Sequence, residues 1–260
     1  AAAGALFSWL GKVERGVMAK SKSSPVSKQT SAVGPINITS PKDFDAAKQH
    51  FASAYGVTLN DNLQEVDREV LSDVLNASER MFAEFPGVID ELNMIKNDRY
   101  SSAYAYASWS VASPSRVSVG SLMQDKAAAN TSIQQDGTFH PKGTTVQSIT
   151  AHELGHVMET AIVKKRHAGD LGMIYDVRKR RKVATEIVGQ AAKRVKKTPA
   201  GKTSAGKPKT INALIREVSG YATKNRSEAL AEMVGDVFAN GSNAHPLSQE
   251  VWSILKQELG

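Results

Sequence analysis

The residues with the clearest chemical potential are two histidines four positions apart, with a glutamate beside the first. They form the segment His152-Glu153-Leu154-Gly155-His156, which has the pattern H-E-x-x-H. On a helix, side chains four residues apart lie one turn above each other, so both imidazoles can reach a single metal ion. Glu153 lies beside that pair and can reach a water at the metal without being a ligand. Because catalytic zinc sites combine imidazole and carboxylate ligands, the segment predicts a zinc site.

The flanking sequence predicts that this segment lies on a helix. Thr144 and Gln147 have the spacing of a capping box, and Gly143 suits the loop before it. Apolar residues then recur at spacings of three and four, at Val146, Ile149, Leu154, Val157, Met158 and Ala161. A capped amphipathic helix is what the motif requires. The alternative is a pair of histidines on a surface helix without a metal.

A third protein ligand is needed, and its position separates the classes of zinc peptidase. The metzincin pattern continues with glycine and histidine where this chain has Glu159 and Ile162, so that class is excluded. A glutamate on a second helix is the other common solution. The segment 219–232 leads into a predicted helix that could supply it.

Two glutamates on this second predicted helix are candidates for the third ligand. The helix is expected to begin at a cap formed by Asn225 or Ser227 and to end near 240–241. Glu228 and Glu232 are four residues apart and therefore share one face, next to an apolar stripe. Two carboxylates beside a buried stripe cost stability unless a positive group meets them. The alternative is a solvated acidic edge.

Together these residues resemble the gluzincin zinc metallopeptidases, in the arrangement of the anthrax lethal factor catalytic domain. The resemblance rests on the H-E-x-x-H segment and on Tyr221 followed by Glu228 seven residues later. The segments 139–144 and 219–232 also resemble metallopeptidase domains of phage head and minor structural proteins. The resemblance implies an α+β, zincin-like fold with a small sheet, the H-E-x-x-H helix and a second Glu-bearing helix.

The resemblance also implies a role for each matching residue. It implies three zinc ligands, namely His152, His156 and Glu228. Glu153 would be the general base, which takes a proton from water and delivers it to the leaving amine. Tyr221 would be the hydroxyl that supports the oxyanion, and Glu232 would accept the second ring N–H of the first histidine. For Tyr221, a packing role is the alternative.

A strongly basic stretch separates the two motifs. His156 and Glu228 are 72 residues apart, a long interval for two helices that share a metal. Residues 164–209 contain 15 Lys or Arg and three acidic residues, a net charge of +12 in a chain whose total is +7. We interpret 164–209 as a basic insert in which basic clusters at 178–182 and 193–197 flank a helix.

Such an insert could bind an acidic protein partner, nucleic acid or an acidic peptide substrate. Tyr175 is the only aromatic residue in it, so stacking on single-stranded bases is not expected. The run 199–208 is rich in Lys, Gly and Ser and is predicted to be a flexible loop. The alternative is that the whole stretch is a solvated basic loop without a partner.

The domain organisation follows from composition. The 260 residues are 41% apolar, enough for one good core with extensions. Residues 1–41 are predicted to be an N-terminal docking segment, amphipathic at 5–18, followed by a flexible linker. A frayed tail is the alternative at 5–18. Residues 42–260 are predicted to be the metallopeptidase domain.

Cysteine is absent, so no disulfide framework exists, which fits a reducing compartment. The sequence contains no run of 18 apolar residues, and no membrane span is expected. Together with the phage resemblance, these features favour a virion-associated or cytoplasmic location.

The remaining elements are predicted from periodicity. Residues 42–58 and 61–83 have helical spacing, whereas alternation and β-formers at 88–89, 103–107 and 116–120 predict a small sheet. A sheet beside a zinc helix often presents an edge strand that pairs with an extended substrate, and 116–120 is the candidate for that edge.

Four further histidines have no partner at metal spacing and are expected to be structural or exposed, namely His50, His140, His167 and His245. Of these, His140 precedes the zinc helix closely enough to lie at the rim of a cleft.

The expected function is zinc-dependent hydrolysis of peptide bonds in a protein or peptide substrate, and the phage resemblance implies a virion-associated protein. Three alternatives stay open. One is a phage head or minor structural protein whose zincin fold serves attachment to other phage structural proteins. Another is a secreted effector protease. The third is a nucleic-acid-associated protein that uses 164–209 and in which the metal is structural.

Overall fold

The computed structural model describes residues 34–108, 113–168 and 177–260, and side chains in the last range from 181 onward. The predicted docking segment at 5–18 and most of the predicted linker lie outside the described residues.

The described residues form an α+β structure, as predicted. The α-helices are α1 (Pro41–Tyr55), α2 (Arg68–Glu84), α3 (Lys126–Gln135), α4 (Val146–Arg166), α5 (Val177–Val195), α6 (Ile211–Val218), α7 (Arg226–Asn240) and α8 (Pro246–Leu259). The strands are β1 (Thr58–Leu59), β2 (Leu92–Asn97), β3 (Ala105–Ser108) and β4 (Ser115–Val119). None of the helices in the described ranges is long and apolar enough to cross a membrane.

The end of the predicted linker is packed against α2. The Ile36 N–H donates to Asn76 Oδ1 at 2.7 Å, and the Ile38 N–H donates to Ser72 Oγ at 2.9 Å. Ile38 is buried in the core. The linker prediction is therefore wrong for residues 36–40, because two isoleucines anchor this segment ahead of α1.

The two predicted N-terminal helices are present with different ends. α1 stops at Gly56, whose φ of +68° favours glycine, so 58–59 is free to form β1. The predicted helix at 61–83 begins only at Arg68. Asp67 accepts hydrogen bonds from the first-turn N–H groups of α2, and the preceding residues 61–65 form a short 3-10 helix.

The four strands form one mixed sheet in the order β1-β2-β4-β3. β2 is parallel to β1 and β4, and β3 is antiparallel to β4. The prediction that 116–120 is an edge strand is wrong, because β4 lies between two strands. Ser118 is fully buried, so the alternation of polar and apolar residues in β4 does not mark an exposed face. β3 is the edge strand on this side, and 88–89 ends a 3-10 helix rather than starting a strand.

α4, which contains the H-E-x-x-H segment, runs through the middle of the domain. It packs against α2, α5 and α7 and against β3 and β4. Polar and apolar residues alike are buried along it from 148 to 163, so it is a central helix and not an amphipathic surface helix. Its capping box uses Thr145 and Ser148, one residue after the predicted pair, while Gly143 turns the preceding loop with φ +80°.

The predicted basic insert contains a core helix. One face of α5 is buried, at Val183, Ala184, Ile187, Val188, Ala191, Ala192 and Val195. This face packs against α4, α7 and α8, while the basic residues from 181 onward lie mainly on the opposite face. The loop predicted at 199–208 is closed by backbone hydrogen bonds, including Lys209 N–H to Gly201 O at 2.8 Å. Residues 181–209 are therefore not a solvated basic loop.

Glycines bring α4 and α7 close together. A β-carbon at Gly155 would lie 3.0 Å from Ala231 Cα on α7, and one at Gly235 would lie 3.1 Å from Ser148 O on α4. Contacts this short leave no room for a side chain unless the backbones separate. The spacing of the two helices, and hence of the side chains between them, depends on these glycines.

We expect Gly155→Ala to lower the free energy of unfolding by about 1–2 kcal/mol, because overpacking outweighs the gain in helix propensity. Gly189→Ala on α5 is the matched control, since a β-carbon there meets nothing within 4 Å. It should raise the free energy of unfolding by about 0.5–1 kcal/mol. Urea denaturation of the metal-free variants measures both. Equal stabilisation by the two substitutions would show that α4 and α7 are not in tight contact at Gly155.

Candidate metal centre

Two helices bring the three predicted ligands together. His152 and His156 project from α4, and Glu228 lies in the first turn of α7, which begins directly after Asn225. The Asn225 side chain accepts hydrogen bonds from the N–H groups of Ser227 and Glu228 and so fixes this turn. One nitrogen or oxygen from each of the three residues lies within 4.8 Å of the others.

The separations within this group fit a shared ion better than direct hydrogen bonds. Glu228 Oε2 lies 3.5 Å from His152 Nε2 and 3.2 Å from His156 Nε2. A direct charged N–H···O contact would be about 2.7–2.9 Å long. Two ligand atoms placed about 2.1 Å from one tetrahedral zinc ion are about 3.4 Å apart. The two imidazoles and the carboxylate therefore offer donor atoms at separations that one metal ion could share.

The Glu228 carboxylate supports this fit. Its Oε2 atom is buried and accepts no well-formed hydrogen bond from the described residues. Burial raises the pKa of this carboxyl, but the contacts with His152 and His156 outweigh burial and keep the pKa well below its usual range. An ionised oxygen without a proper donor is suited to a cation.

Glu232 orients the first histidine, as the resemblance implied. Its Oε1 atom lies 2.8 Å from His152 Nδ1, and its Oε2 atom accepts a hydrogen bond of 2.7 Å from the Ser219 hydroxyl. The contact is an ion pair whose geometry falls short of a hydrogen bond, so Glu232 lies against the Nδ1 side of the ring and leaves Nε2 for the candidate metal position. Burial lowers the pKa of His152, but Glu228 and Glu232 outweigh it and raise the pKa well above its usual value.

A second chain of contacts, not predicted from the sequence, orients the other histidine. The Ser227 hydroxyl donates to the buried Glu159 carboxylate, and its oxygen lies 3.4 Å from His156 Nδ1. Since Ser227 has one proton and gives it to Glu159, the oxygen accepts from Nδ1–H. This leaves His156 Nε2 unprotonated and able to bind a metal. The sequence presented Ser227 only as a cap and Glu159 only as a mismatch to the metzincin pattern.

Glu153 is fixed by the edge strand. Its Oε2 atom accepts a hydrogen bond of 2.7 Å from the backbone N–H of Ala107 in β3. The residue is 7% exposed and does not belong to the group of three ligand atoms. A backbone donor cannot be recognised from residue types, so this contact could not be predicted.

Tyr221 lies at the site through its ring and its hydroxyl. The ring centroid is 5.9 Å from that of His152, and the hydroxyl accepts a hydrogen bond of 3.0 Å from Lys224 Nζ. Lys224 Nζ also lies 3.5 Å from Glu228 Oε1. The Tyr221 hydroxyl is thus hydrogen-bonded to Lys224, which was not among the predicted site residues.

His140 also belongs to the site, in the wall of a pocket next to the candidate ligands, where the sequence placed it at the rim of a cleft. Its Nδ1 atom lies 3.2 Å from Glu232 Oε1, so two histidines share one carboxylate. Its side chain is largely buried, and its ring contacts the ring of Tyr221. Its position in the loop before α4 indicated a place near the site, but its contact with Glu232 was not predicted.

The other three histidines have local roles, as predicted. His50 contacts Glu79, His167 ends α4, and the His245 side chain caps α8 by accepting from the Leu247 N–H.

Two pockets flank the ligand group. The first, of about 200 Å³, borders His152 and Glu153 and has an apolar wall that includes Leu122, Phe139 and Ile149. The second, also about 200 Å³, borders His156 and Glu228 and is lined by Ser115, Thr160, Arg181, Asn225 and Ser227. The two sides of the site therefore differ in polarity.

No family model, curated protein or solved structure matches this chain. The roles of the site residues consequently depend on their types, contacts and distances.

We expect Glu232→Gln and Ser227→Ala each to weaken zinc binding about tenfold or more, because each removes a group that orients a ligand histidine. Competition with a chromophoric chelator measures the affinity. Glu217→Gln is the control, since Glu217 pairs with Lys209 at the surface. Unchanged affinity in both site variants would show that the two networks do not orient the ligands.

The stability of the metal-free protein should depend on Glu232 in a defined pH window. Burial raises the pKa of Glu232, but His140 and His152 outweigh burial and lower it from 4.5 to about 2. A folded-state pKa below the unfolded one means that the ionised form stabilises the fold above about pH 4.5. That contribution is lost as the pH falls through about 2.

In chelator, therefore, wild type should be more stable than Glu232→Gln at pH 5–7, and the difference should shrink as the pH approaches 2. Urea unfolding across this range gives the result. A difference that stays constant would show that the charge of Glu232 contributes nothing.

Proposed function

We propose that this chain is a zinc-dependent metallopeptidase of the gluzincin type. The observation that carries the proposal is the group of His152, His156 and Glu228, whose ligand atoms lie close enough to bind one ion. Glu153 is held beside this group by its hydrogen bond from Ala107. A purely structural zinc site has no use for that additional glutamate. When bound, zinc would polarise the scissile carbonyl and lower the pKa of its water to about 7.

The residues of the chain supply the proton transfers. Glu153 would take the proton from the attacking water and deliver it to the leaving amine. Its hydrogen bond from Ala107 fixes the carboxylate for this purpose. Tyr221, with Lys224 on its hydroxyl, would donate to the developing oxyanion, where one donor typically contributes about 3 kcal/mol.

The sheet supports an extended peptide as substrate. β3 is an edge strand whose Ala107 N–H is directed at Glu153, so a peptide running along β3 would pass the ligand group. The apolar pocket beside His152 and Glu153 would receive an aliphatic or aromatic side chain of that peptide.

Ion pairs engage part of the basic stretch, which leaves fewer of its cations for nucleic acid. Several of its cations already have acidic partners: Lys164 pairs with Glu91, Arg166 with Glu186 and Glu258, and Arg194 with Glu250. A phage structural protein with a zincin fold used for attachment stays the alternative to a peptidase.

We expect wild type to bind one zinc per chain, and Glu228→Ala to lose most of it because two histidines alone form an incomplete site. Glu153→Gln should keep its zinc but lose cleavage of a mixed peptide library, since the general base is removed. Elemental analysis and mass spectrometry of the library give the two results. Zinc retained in Glu228→Ala would contradict the assignment of the third ligand. Zinc without cleavage by wild type would favour the attachment protein.

A further inference from the structure

The polar pocket beside His156 contains a cation that the sequence analysis treated only as part of a basic cluster. Arg181, in α5, lines this pocket together with His156 and Glu228. α5 therefore contributes a charged side chain to the pocket that His156 and Glu228 also line. The rest of the wall is neutral and mostly polar, with Ala107, Ser115, Thr160, Asn225 and Ser227.

Arg181 has no carboxylate partner among the described residues. Among the residues that the structure describes, Arg166 and Lys182 lie near Glu186, and Arg194 lies near Glu250. Arg181 forms no ion pair with any described residue, and its side chain is exposed. The one carboxylate that shares the pocket, Glu228, is already engaged by the two histidines.

The unpaired guanidinium at this polar pocket is suited to an anionic, planar group. Arginine presents several N–H donors in a fixed fork that matches a carboxylate. The pocket on the other side of the site has an apolar wall and no such cation. The two sides would therefore select different groups from a substrate that crosses the site.

We propose that Arg181 binds a carboxylate of the substrate, next to the bond that is cleaved. This inference rests on the proposed peptidase function and specifies its substrate class: peptides with an acidic group on the His156 side. The carboxylate could come from an Asp or Glu side chain or from the C-terminus of the peptide. Both sources present the same group to the guanidinium, and the experiment separates them.

Retention of peptides by a catalytically silent protein tests the proposal without requiring cleavage. Zinc-loaded Glu153→Gln protein is immobilised and exposed to a mixed peptide library, half of it with free and half with amidated C-termini. Retained peptides are identified by mass spectrometry. We expect peptides with Asp or Glu, or with a free C-terminus, to be enriched about fivefold to tenfold over their Asn, Gln or amidated counterparts.

The same measurement in second-site variants assigns the effect to the pocket. Adding Arg181→Gln should abolish the enrichment, and adding Arg181→Glu should replace it with enrichment of Lys or Arg. Lys182→Gln is the matched control, because it removes the same charge from the next residue of α5, which does not line the pocket. Enrichment that survives Arg181→Gln, or is lost equally in Lys182→Gln, would overturn the proposal.

A cleavage assay completes the test in protein with Glu153 intact. Arg181→Gln should lower kcat/KM for an acidic peptide about fivefold to tenfold and leave its Gln-substituted counterpart and the zinc content unchanged. If wild type cleaves nothing but retains acidic peptides through Arg181, the peptidase function fails and the carboxylate site stands. If wild type cleaves peptides without preference for a carboxylate, the peptidase function stands and this inference fails.

Discussion

The close contact between α4 and α7 is the constraint on which the site depends. Each helix has a glycine where the backbone of the other passes, at Gly155 and Gly235. Only at this separation can short side chains such as Ser227 reach from α7 to a histidine on α4. The approach also buries carboxylates, which would be costly without the imidazoles that meet them. The close packing of α4 and α7 and the pairing of their buried charges therefore depend on each other.

The parts of the site that repeat at helical spacing could be predicted from the sequence. His152, His156, Glu228 and Glu232 follow from four-residue periodicity together with the resemblance, and the structure brings all four together. The contacts that reach the site from other elements could not be predicted. His140 comes from a loop, Ala107 acts through its backbone and Arg181 comes from a distant helix, and none has a local spacing signal.

The errors in the fold have the same physical origin. The strand at 115–119 is an inner strand because β2 and β3 pair with it on both sides, which its residue types do not indicate. The helix predicted between the basic clusters is present as α5, but the burial of its Val, Ile and Ala stripe in the core was not predicted. The net charge of the stretch reflects its exposed residues, whereas the helical spacing of the apolar residues in α5 determines which side chains are buried.

Glu232 gives the site a property that neither histidine has alone. It contacts His152 on α4 and His140 in the loop that forms part of the apolar pocket. That loop is also joined to the start of the second motif, since the Tyr221 N–H donates to Phe139 O at 2.8 Å. Because they share these contacts, ion binding at the candidate site and ordering of the pocket would be linked thermodynamically. If the metal raises the affinity of the pocket for its ligand by some factor, the ligand must raise the affinity of the protein for the metal by the same factor.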